Sequence, residues 1–410
     1  MTAFSLYLFD DAVAREWQPF ALTRPVGELL LGAYTFRRRG ELLFGMRCAG
    51  HVTAAHLAGF EEPESAPVVA LPDIDTSGPR LFLSSRAVPD WGQHADWPAG
   101  SATLWVNSEI AGCYRGAGEA NPDAAWFLEP YAGDDGDISL NGRVHGHVWD
   151  LVAENPAQIA RDFAAVAEDS GAAAAGASAP VFHGIGSSDG SLRLGSGVSM
   201  EPGVVLDFTE GPIWLDEGVT LRAFTRLAGP AYVGPGSTLL GGPYSALSIG
   251  PVCKVHGEME ESVVLGYSNK AHDGFLGHAY LGRWVNLGAM TTNSDLKNNY
   301  GSIRMWTPGG DADTGLIKLG CLLGDHVKTG IGALLNTGTV IGAGTNIFGT
   351  AMPPKYVPPF SWGSGAELEA FAVDRFITLA ATVMGRRNLS LSDSMEQMLR
   401  EAWRIGRGST

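Results

Sequence analysis

Leu194-Gly-Ser-Gly-Val-Ser and Met200-Glu-Pro-Gly-Val-Val are two consecutive six-residue steps, and Leu206 opens a third. Each step begins with an aliphatic residue, continues with glycine or an acid, and carries a β-branched residue at its fifth place. The aliphatic residue suits the interior of a short strand, and glycine permits the turn between flat sheet faces. This pattern is typical of a hexapeptide repeat, in which three steps make one coil of a triangular parallel β-helix.

The repeat continues far along the chain. Further steps begin at Leu215, Val233, Ile249, Leu323 and Ile341. A generic glycine-rich β protein would not keep a period of six over most of residues 190–350. Because each coil buries its core only against its neighbours, we expect caps at the ends and association through the flat sides, as a homotrimer.

The length of the chain, 410 residues, predicts more than one domain. We expect an α/β domain of the nucleotidyltransferase type over 1–170 and a linker over 171–189. A left-handed parallel β-helix over 190–362 and a C-terminal helical cap over 363–410 follow. The linker prediction rests on the small, uninformative side chains of residues 171–180.

Composition narrows the class of protein. Charged residues make up 18% and hydrophobic residues 45%, which suits a folded globular chain, and the net charge of −16 argues against nucleic acid as a partner. The four cysteines form no CxxC pair, so neither a zinc cage nor a disulfide framework is indicated. The N-terminus does not resemble a signal peptide, and no apolar stretch approaches the roughly 20 residues of a membrane-spanning helix. We therefore expect a cytoplasmic protein without a membrane partner.

Polar residues of the N-terminal region mark possible ligand positions. Asp10 follows the apolar run Ser5–Phe9, and ligands of open α/β sheets gather at such strand ends. Arg24 lies in a proline-containing loop, where its planar guanidinium suits a phosphate; a surface ion pair with Asp10 or Glu28 is an equally good interpretation. Asn107 closes another apolar run and is either a ligand contact at the sheet edge or a buried turn residue.

The segment Gly266–Tyr300 is unusual because it packs polar groups between aliphatic-glycine steps. It contains His272, His278, Lys270 and Asn293. Polar groups at this density are costly to bury without a purpose. We therefore expect the main functional site here.

Three motifs in and beside this segment carry a family resemblance: Asn269-Lys-Ala-His-Asp-Gly-Phe-Leu-Gly, Val285-Asn-Leu-Gly-Ala-Met-Thr and Asn293-Ser-Asp-Leu-Lys-Asn-Asn-Tyr. They resemble the acetyltransferase domain of the bifunctional N-acetylglucosamine-1-phosphate uridyltransferase/glucosamine-1-phosphate acetyltransferase family. The similarity is particularly to an alternative bacterial branch, often called sugar nucleotidyltransferases. The N-terminal Leu8-Phe-Asp-Asp and Leu22-Thr-Arg-Pro also fit that branch.

The resemblance implies a role for each polar residue. His272 matches the family's catalytic histidine, and an imidazole is suited to take a proton from an amine that attacks the thioester of acetyl-CoA. Lys270 would bind the phosphate of the sugar, with Lys297 and Lys328 as further phosphate contacts. Asn293 would orient the sugar or the tetrahedral intermediate.

The sequence also departs from the family pattern. Phe275 replaces a substrate-binding tyrosine and lacks its hydroxyl. The family's glycine-rich nucleotide loop is absent. Nucleotidyl transfer, if present, would be Mg²⁺-assisted attack of a sugar 1-phosphate on the α-phosphate of UTP or dTTP, with Asp10 binding the metal and Arg24 a phosphate.

Two interpretations of the histidines compete. His272 and His278 also suit turn positions on a solvated face; we favour the catalytic interpretation for His272 and the turn interpretation for His278.

The leading functional hypothesis is an enzyme of amino-sugar nucleotide synthesis that combines acetyl transfer with nucleotidyl transfer. A second hypothesis keeps only the nucleotidyltransferase, with the β-helix as an oligomerisation and regulatory scaffold. A third is a non-catalytic sugar-nucleotide-binding assembly protein. The cluster of His272, Lys270 and Asn293 favours the first over the third, and the missing glycine-rich loop counts against the second.

Overall fold

The computed structural model describes residues 4–133, 136–169, 181–365 and 367–408. Its contacts separate two compact units. The first contains Met1–Leu29, Tyr34–Val148 and Leu391–Ala402, and the second contains Leu30–Ala33, Trp149–Ser390 and Trp403–Thr410. Most of the predicted linker, residues 171–180, lies outside the described residues, and the predicted domain limits stay predictions.

The helices are α1 (Ala12–Arg15), α2 (Phe36–Phe44), α3 (Ala124–Leu128), α4 (Asp150–Ala153), α5 (Asn155–Asp169), α6 (Val373–Gly385) and α7 (Asp393–Gly406). Short 3₁₀ turns cover Val26–Glu28, Ala55–Leu57 and Leu71–Asp73. Among the helices described, none has the length together with the apolar composition that crossing a bilayer requires.

The strands before residue 149 are β1 (Ser5–Phe9), β2 (Leu30–Leu31), β3 (Tyr34–Thr35), β4 (Cys48–Val52), β5 (Arg80–Ser84), β6 (Ala87–Pro89), β7 (Ala102–Val106), β8 (Glu109–Arg115), β9 (Gly136–Leu140) and β10 (Gly142–Val144). The next strands are β11 (His183–Ile185), β12 (Leu192–Leu194), β13 (Ser199–Met200), β14 (Val205–Asp207), β15 (Ile213–Leu215), β16 (Thr220–Leu221), β17 (Thr225–Ala228), β18 (Ala231–Val233), β19 (Thr238–Leu239), β20 (Gly242–Ser245), β21 (Ser248–Ile249), β22 (Lys254–Val255), β23 (Met259–Glu260), β24 (Val263–Gly266), β25 (Asn269–Lys270), β26 (Leu276–Gly277), β27 (Tyr280–Arg283) and β28 (Thr292–Asn293). The last are β29 (Arg304–Thr307), β30 (Gly310–Asp313), β31 (Cys321–Leu323), β32 (Lys328–Thr329), β33 (Leu334–Leu335), β34 (Thr339–Ile341), β35 (Asn346–Ile347), β36 (Tyr356–Val357), β37 (Ser361–Ser364) and β38 (Glu367–Ala370).

The first unit is built on a six-stranded sheet with the order β4-β1-β5-β8-β7-β9. Only β8 runs antiparallel to its neighbours. Strand β1 is buried from Leu6 to Phe9, as expected for a continuous apolar run inside a largely parallel sheet. Because β1, β5 and β7 run in the same direction, Asp10, Ser85 and Asn107 follow strand ends at one edge of this sheet.

The second unit is a parallel β-helix of about ten turns, whose strands stack on equivalent strands of the preceding coils. One sheet has the order β12-β15-β18-β21-β24-β27-β31-β34-β36. Its register stacks the buried side chains of Leu215, Val233, Ile249, Val264 and Leu281. Burying each such side chain contributes about 1.5–3 kcal/mol relative to exposure, so these interior columns are a main source of stability. The predicted fold class, with a left-handed β-helix, is confirmed.

The two C-terminal helices were expected to form one cap, but the compact units separate them. Phe376 of α6 packs against Phe360 with ring centroids 5.0 Å apart, so α6 covers the last coil. Residues 391–402, which include most of α7, group with the first unit. Met398 of α7 lies close to Gly59 of the first unit. A β-carbon at position 59 would collide with the backbone of α7 at Ser394. The C-terminal helical cap over 363–410 stays a prediction.

Candidate active site

His272 lies at an open corner of the β-helix, in the turn after β25, and its side chain is exposed. It borders a cavity of about 340 Å³ whose other lining residues are Leu240, His256, Ala271, Asp273, Ala289 and Met290. Within the described part of the chain, the imidazole of His272 makes no hydrogen bond. Both of its ring nitrogens are therefore open to a ligand in the cavity.

A second histidine, which the sequence interpretation missed, lines the same cavity. His256 Nε2 lies 3.1 Å from Oδ1 of Asp273, and its Nδ1 lies 3.1 Å from the carbonyl oxygen of Leu240. The pairing of β22 with β25 brings the coil of His256 directly beside the coil of His272. The signal in the sequence is the interval of 16 residues between the two histidines, which is close to one coil.

Lys270 does not face the cavity as a free cation. It continues the buried column of Leu239 and Val255, and its Nζ donates hydrogen bonds of 2.8 Å to the carbonyl oxygens of His256 and His272. Burial lowers the pKa of Lys270 to about 8. The ammonium group thus ties two coils together, and its predicted contact with the sugar phosphate stays a prediction.

The other two predicted phosphate lysines are also bound to main-chain oxygens. Lys328 Nζ donates to the carbonyl oxygens of Trp284 at 2.6 Å and His326 at 3.0 Å, and burial lowers its pKa to about 7. Lys297 Nζ donates to the carbonyl oxygen of Ser302. A phosphate would have to displace these bonds before either lysine could bind it.

Asn293 joins neighbouring coils through its amide group. Its Oδ1 accepts from the backbone N–H of Gly277 at 2.9 Å, and its Nδ2 donates to the carbonyl oxygen of Gly277 at 2.8 Å. The ring of Phe275 lies against Gly277, where a β-carbon would collide with it. Asn293 is only 2% exposed, so its amide is occupied by the scaffold, and the substrate roles of Asn293 and Phe275 stay predictions.

Asn293→Ala is expected to lower the free energy of unfolding by about 2–4 kcal/mol, because two buried backbone groups of Gly277 lose their partners. Chemical denaturation of the full chain measures this change. Asn298→Ala, at an exposed asparagine nearby, serves as the control and should change stability by less than about 0.5 kcal/mol. Native stability of Asn293→Ala with impaired turnover would instead support the predicted catalytic role.

A second polar cluster stacks at another corner of the β-helix. Glu261, His278 and Asp295 follow one another at intervals of 17 residues, which is the coil length set by the pairing of β23 with β26. His278 Nδ1 lies 2.8 Å from Oδ2 of Asp295, and Nε2 lies 3.3 Å from Oε2 of Glu261. His278 is 5% exposed, so the prediction of a turn histidine on a solvated face is wrong.

Electrostatics favour a charged His278. Burial alone would lower its pKa, but hydrogen bonds and charges of Asp295 and Glu261 outweigh burial and raise the pKa of His278 to about 9. The hydrogen bond from His278 lowers the pKa of both carboxyl groups in return. At neutral pH an imidazolium therefore stands between two carboxylates.

This cluster predicts a pH-dependent contribution to stability. Because the folded pKa of His278 lies above the unfolded value of 6.5, the contribution is complete below that value and is lost as the pH rises through about 9. The stability difference between the wild type and His278→Asn should therefore shrink by about 3 kcal/mol between about pH 6 and about pH 10. Denaturant titrations across this range measure it, with His183→Asn, at an exposed histidine, as the control. A difference that stays constant with pH would contradict the assignment.

The predicted metal residue of the first unit, Asp10, is buried. Its Oδ2 accepts hydrogen bonds from the backbone N–H of Val26 at 3.2 Å and the hydroxyl of Thr53 at 2.5 Å, and burial raises its pKa. Its Oδ1 is a buried oxygen without a hydrogen bond. Asp11 binds Arg86 through both carboxylate oxygens. Since Mg²⁺ needs several accessible oxygen ligands, the described residues around Asp10 do not fit a Mg²⁺ site, and that role stays a prediction.

Arg24 and Asn107 occupy different environments. Arg24 is 1% exposed and forms two hydrogen bonds of 2.9 and 3.0 Å with Glu62, so this pair is not on the surface. Asn107 lies in the turn between β7 and β8 with a φ of 54°, and it is exposed. The interpretation of Asn107 as a buried turn residue is therefore wrong. Asn107 Nδ2 donates to the carbonyl oxygen of Gly142 at 2.6 Å. Ligand contacts of both residues stay predictions.

Comparison with known proteins finds a family match in the N-terminal part of the chain. Residues 6–170 match the sugar nucleotidyl transferase family. A bifunctional sugar-1-phosphate nucleotidylyltransferase/acetyltransferase from Sulfurisphaera tokodaii is 32% identical over 91 residues, which cover 22% of this chain and 23% of that protein. The chain thus matches about a quarter of the length of this relative.

A solved structure, the UDP-N-acetylglucosamine acyltransferase of Arabidopsis, aligns with 54% of this chain and 87% of its own chain. The identity is 14% and the TM-score is 0.23. The sugar nucleotidyl transferase match and the Sulfurisphaera relative are therefore the comparisons that bear on function.

Proposed function

We propose that the β-helix transfers an acetyl group from acetyl-CoA to the amine of an amino-sugar 1-phosphate of the glucosamine 1-phosphate type. The proposal rests on the imidazole of His272, which lies at the edge of an open cavity and makes no hydrogen bond within the described residues. The acetyltransferase named in the Sulfurisphaera relative agrees with this chemistry.

His272 acts as the general base in this reaction. One ring nitrogen takes a proton from the amine while the amine nitrogen attacks the thioester carbonyl carbon. The tetrahedral intermediate then collapses, the carbon–sulfur bond breaks, and the departing sulfur takes the proton from the imidazolium. The products are the N-acetylated sugar phosphate and free coenzyme A. Asp273, held by His256, lies beside the cavity and is suited to contact the attacking amine.

The test is an assay of the full-length protein with acetyl-CoA and glucosamine 1-phosphate, in which the release of free thiol is followed. Thiol release that depends on the amino sugar is the expected result. Related amino-sugar 1-phosphates would identify the accepted sugar. Absence of acceptor-dependent thiol release with the whole panel would contradict the proposal.

A second activity, nucleotidyl transfer in the first unit, is favoured by the family match over residues 6–170. In this reaction a phosphate oxygen of the sugar 1-phosphate attacks the α-phosphate of UTP or dTTP, and pyrophosphate leaves. Pyrophosphate release with pairs of nucleotide and sugar 1-phosphate tests it. No release with any pair would leave the first unit as a binding module.

We also infer that the chain forms a homotrimer through its β-helix. Large apolar side chains on the β-helix are exposed, among them Phe224 at 83%, Ile331 at 79% and Met290 at 56%. Exposed apolar side chains of this size favour association. Mass measurement in solution should give three times the mass of the chain, and a monomer would contradict the inference.

A further inference from the structure

The corner cluster of Glu261, His278 and Asp295 has a neighbour, Glu260, that the acyl transfer does not use. Among the described residues, one carboxylate oxygen each of Glu260 and Glu261 and one ring nitrogen of His278 lie within 4.8 Å of one another. Glu260 ends β23, Glu261 follows it, and His278 follows β26 on the next coil. Ligand atoms from two adjacent coils therefore converge on one point.

The hydrogen bonding of His278 points its second nitrogen at this point. Asp295 accepts from Nδ1 at 2.8 Å, which fixes the orientation of the ring. A carboxylate on one imidazole nitrogen, with the other nitrogen directed at further ligands, is the usual arrangement of a metal-binding histidine. The histidine side chain is 6% exposed, so this orientation is imposed by the packed corner and not by solvent.

The separation of Nε2 of His278 from Oε2 of Glu261 is compatible with two ligands of one metal ion. It is 3.3 Å, whereas a charge-assisted N–H···O bond measures about 2.7–2.9 Å. Two ligand atoms about 2.1 Å from a tetrahedral metal lie roughly 3.4 Å apart. The two groups are therefore already spaced as neighbouring ligands.

We propose that Glu260, Glu261 and His278 bind a divalent transition-metal ion of the zinc type, with Asp295 as the positioning residue for the imidazole. One nitrogen and two carboxylate ligands suit zinc, whereas Mg²⁺ and Ca²⁺ prefer oxygen ligands throughout. Three protein ligands leave a fourth position for water. The ion clamps two consecutive coils of the β-helix.

Two cations compete with the metal. One is the proton on Nε2 of His278, which must leave before that nitrogen can bind a metal. Lys318 Nζ lies 3.3 Å from Oε1 of Glu260 and is 42% exposed, so it is displaced into solvent when the ion binds. Both effects can be measured without any assay of acyl transfer.

The test is calorimetric titration of the metal-free, full-length protein with ZnCl₂ in two buffers of different ionisation enthalpy. We expect one zinc ion per chain and release of a proton from His278, because a ligand nitrogen must be deprotonated to bind a metal. Asp295→Asn should weaken binding by about 10–100-fold, as loss of a carboxylate behind a ligand histidine does. Removal of the competing charge in Lys318→Met should tighten binding.

Glu260→Gln is the decisive ligand variant, because Glu260 is half-exposed and its replacement leaves the packed histidine in place. It and Glu261→Gln should each weaken zinc binding at least as much as Asp295→Asn. Glu258→Gln, at an exposed carboxylate two residues from Glu260, serves as the matched control and should bind zinc as the wild type does. Lack of zinc binding by the wild type, or unchanged affinity in both glutamine variants at 260 and 261, would overturn the proposal.

Discussion

His272→Ala is expected to lower kcat/KM for acetyl transfer by about 100- to 10,000-fold, the usual contribution of a general base. The imidazole of His272 is exposed at the cavity and makes no hydrogen bond within the described residues, so its loss should leave the scaffold intact. The effect should fall mainly on kcat, because the base acts in the chemical step and not in ground-state binding. Thiol release from acetyl-CoA measures both parameters.

Two variants make this experiment specific. His183→Ala removes another exposed histidine from the β-helix and should leave kcat and KM unchanged. Asp273→Asn preserves the size of this side chain beside the cavity but removes the negative charge that faces His256. A change in KM alone would show that Asp273 contributes to acceptor binding. If His272→Ala retained the turnover of the wild type, His272 would not be the base.

The repeat was predictable from sequence because its interior positions are both apolar and periodic. Aliphatic residues at intervals of about one coil, such as Leu215, Val233 and Ile249, form one buried column. The β-helix was therefore predictable from the local sequence pattern, without knowledge of which distant residues are in contact.

The role of a polar side chain was not predictable in this way. Lys270 occupies an interior column, yet its four-carbon chain carries the ammonium group to carbonyl oxygens on two coils. Asn293 likewise bonds the backbone of Gly277. The family resemblance implied substrate contacts for both, whereas the direction of each side chain depends on its length and on the backbone groups within its reach.

Coil length is the information that the hexapeptide period alone did not supply. Coils near the cavity contain 15 or 17 residues, as the register of Lys254 with Asn269 and of Met259 with Leu276 shows. Stacking of Glu261, His278 and Asp295 requires the interval of 17 residues, and an ideal coil of three six-residue steps would misalign them. The interpretation of His278 as a solvated turn residue failed for this reason.

Glu62→Ala is expected to lower the free energy of unfolding of the first unit by about 3–5 kcal/mol. The side chains of Arg24 and Glu62 are 1% and 2% exposed, and both terminal nitrogens of the guanidinium bond the carboxylate. Removal of the carboxylate takes two charge-assisted hydrogen bonds from a buried guanidinium. Hydrogen exchange of the six-stranded sheet measures the loss, and Glu61→Ala, at an exposed neighbour, should change stability by less than about 1 kcal/mol.

The double variant Arg24→Met/Glu62→Leu separates the structural role of this pair from the predicted phosphate contact. Replacement of a buried ion pair by apolar side chains of similar size is often neutral for stability, so this variant should recover most of the stability that Glu62→Ala loses. Because both terminal nitrogens of Arg24 are bonded to Glu62 and the guanidinium lies 5.6 Å from the ring of Phe60, we expect pyrophosphate release by the double variant to match that of the wild type. A stable double variant that no longer releases pyrophosphate would show that Arg24 exchanges Glu62 for a phosphate during the reaction.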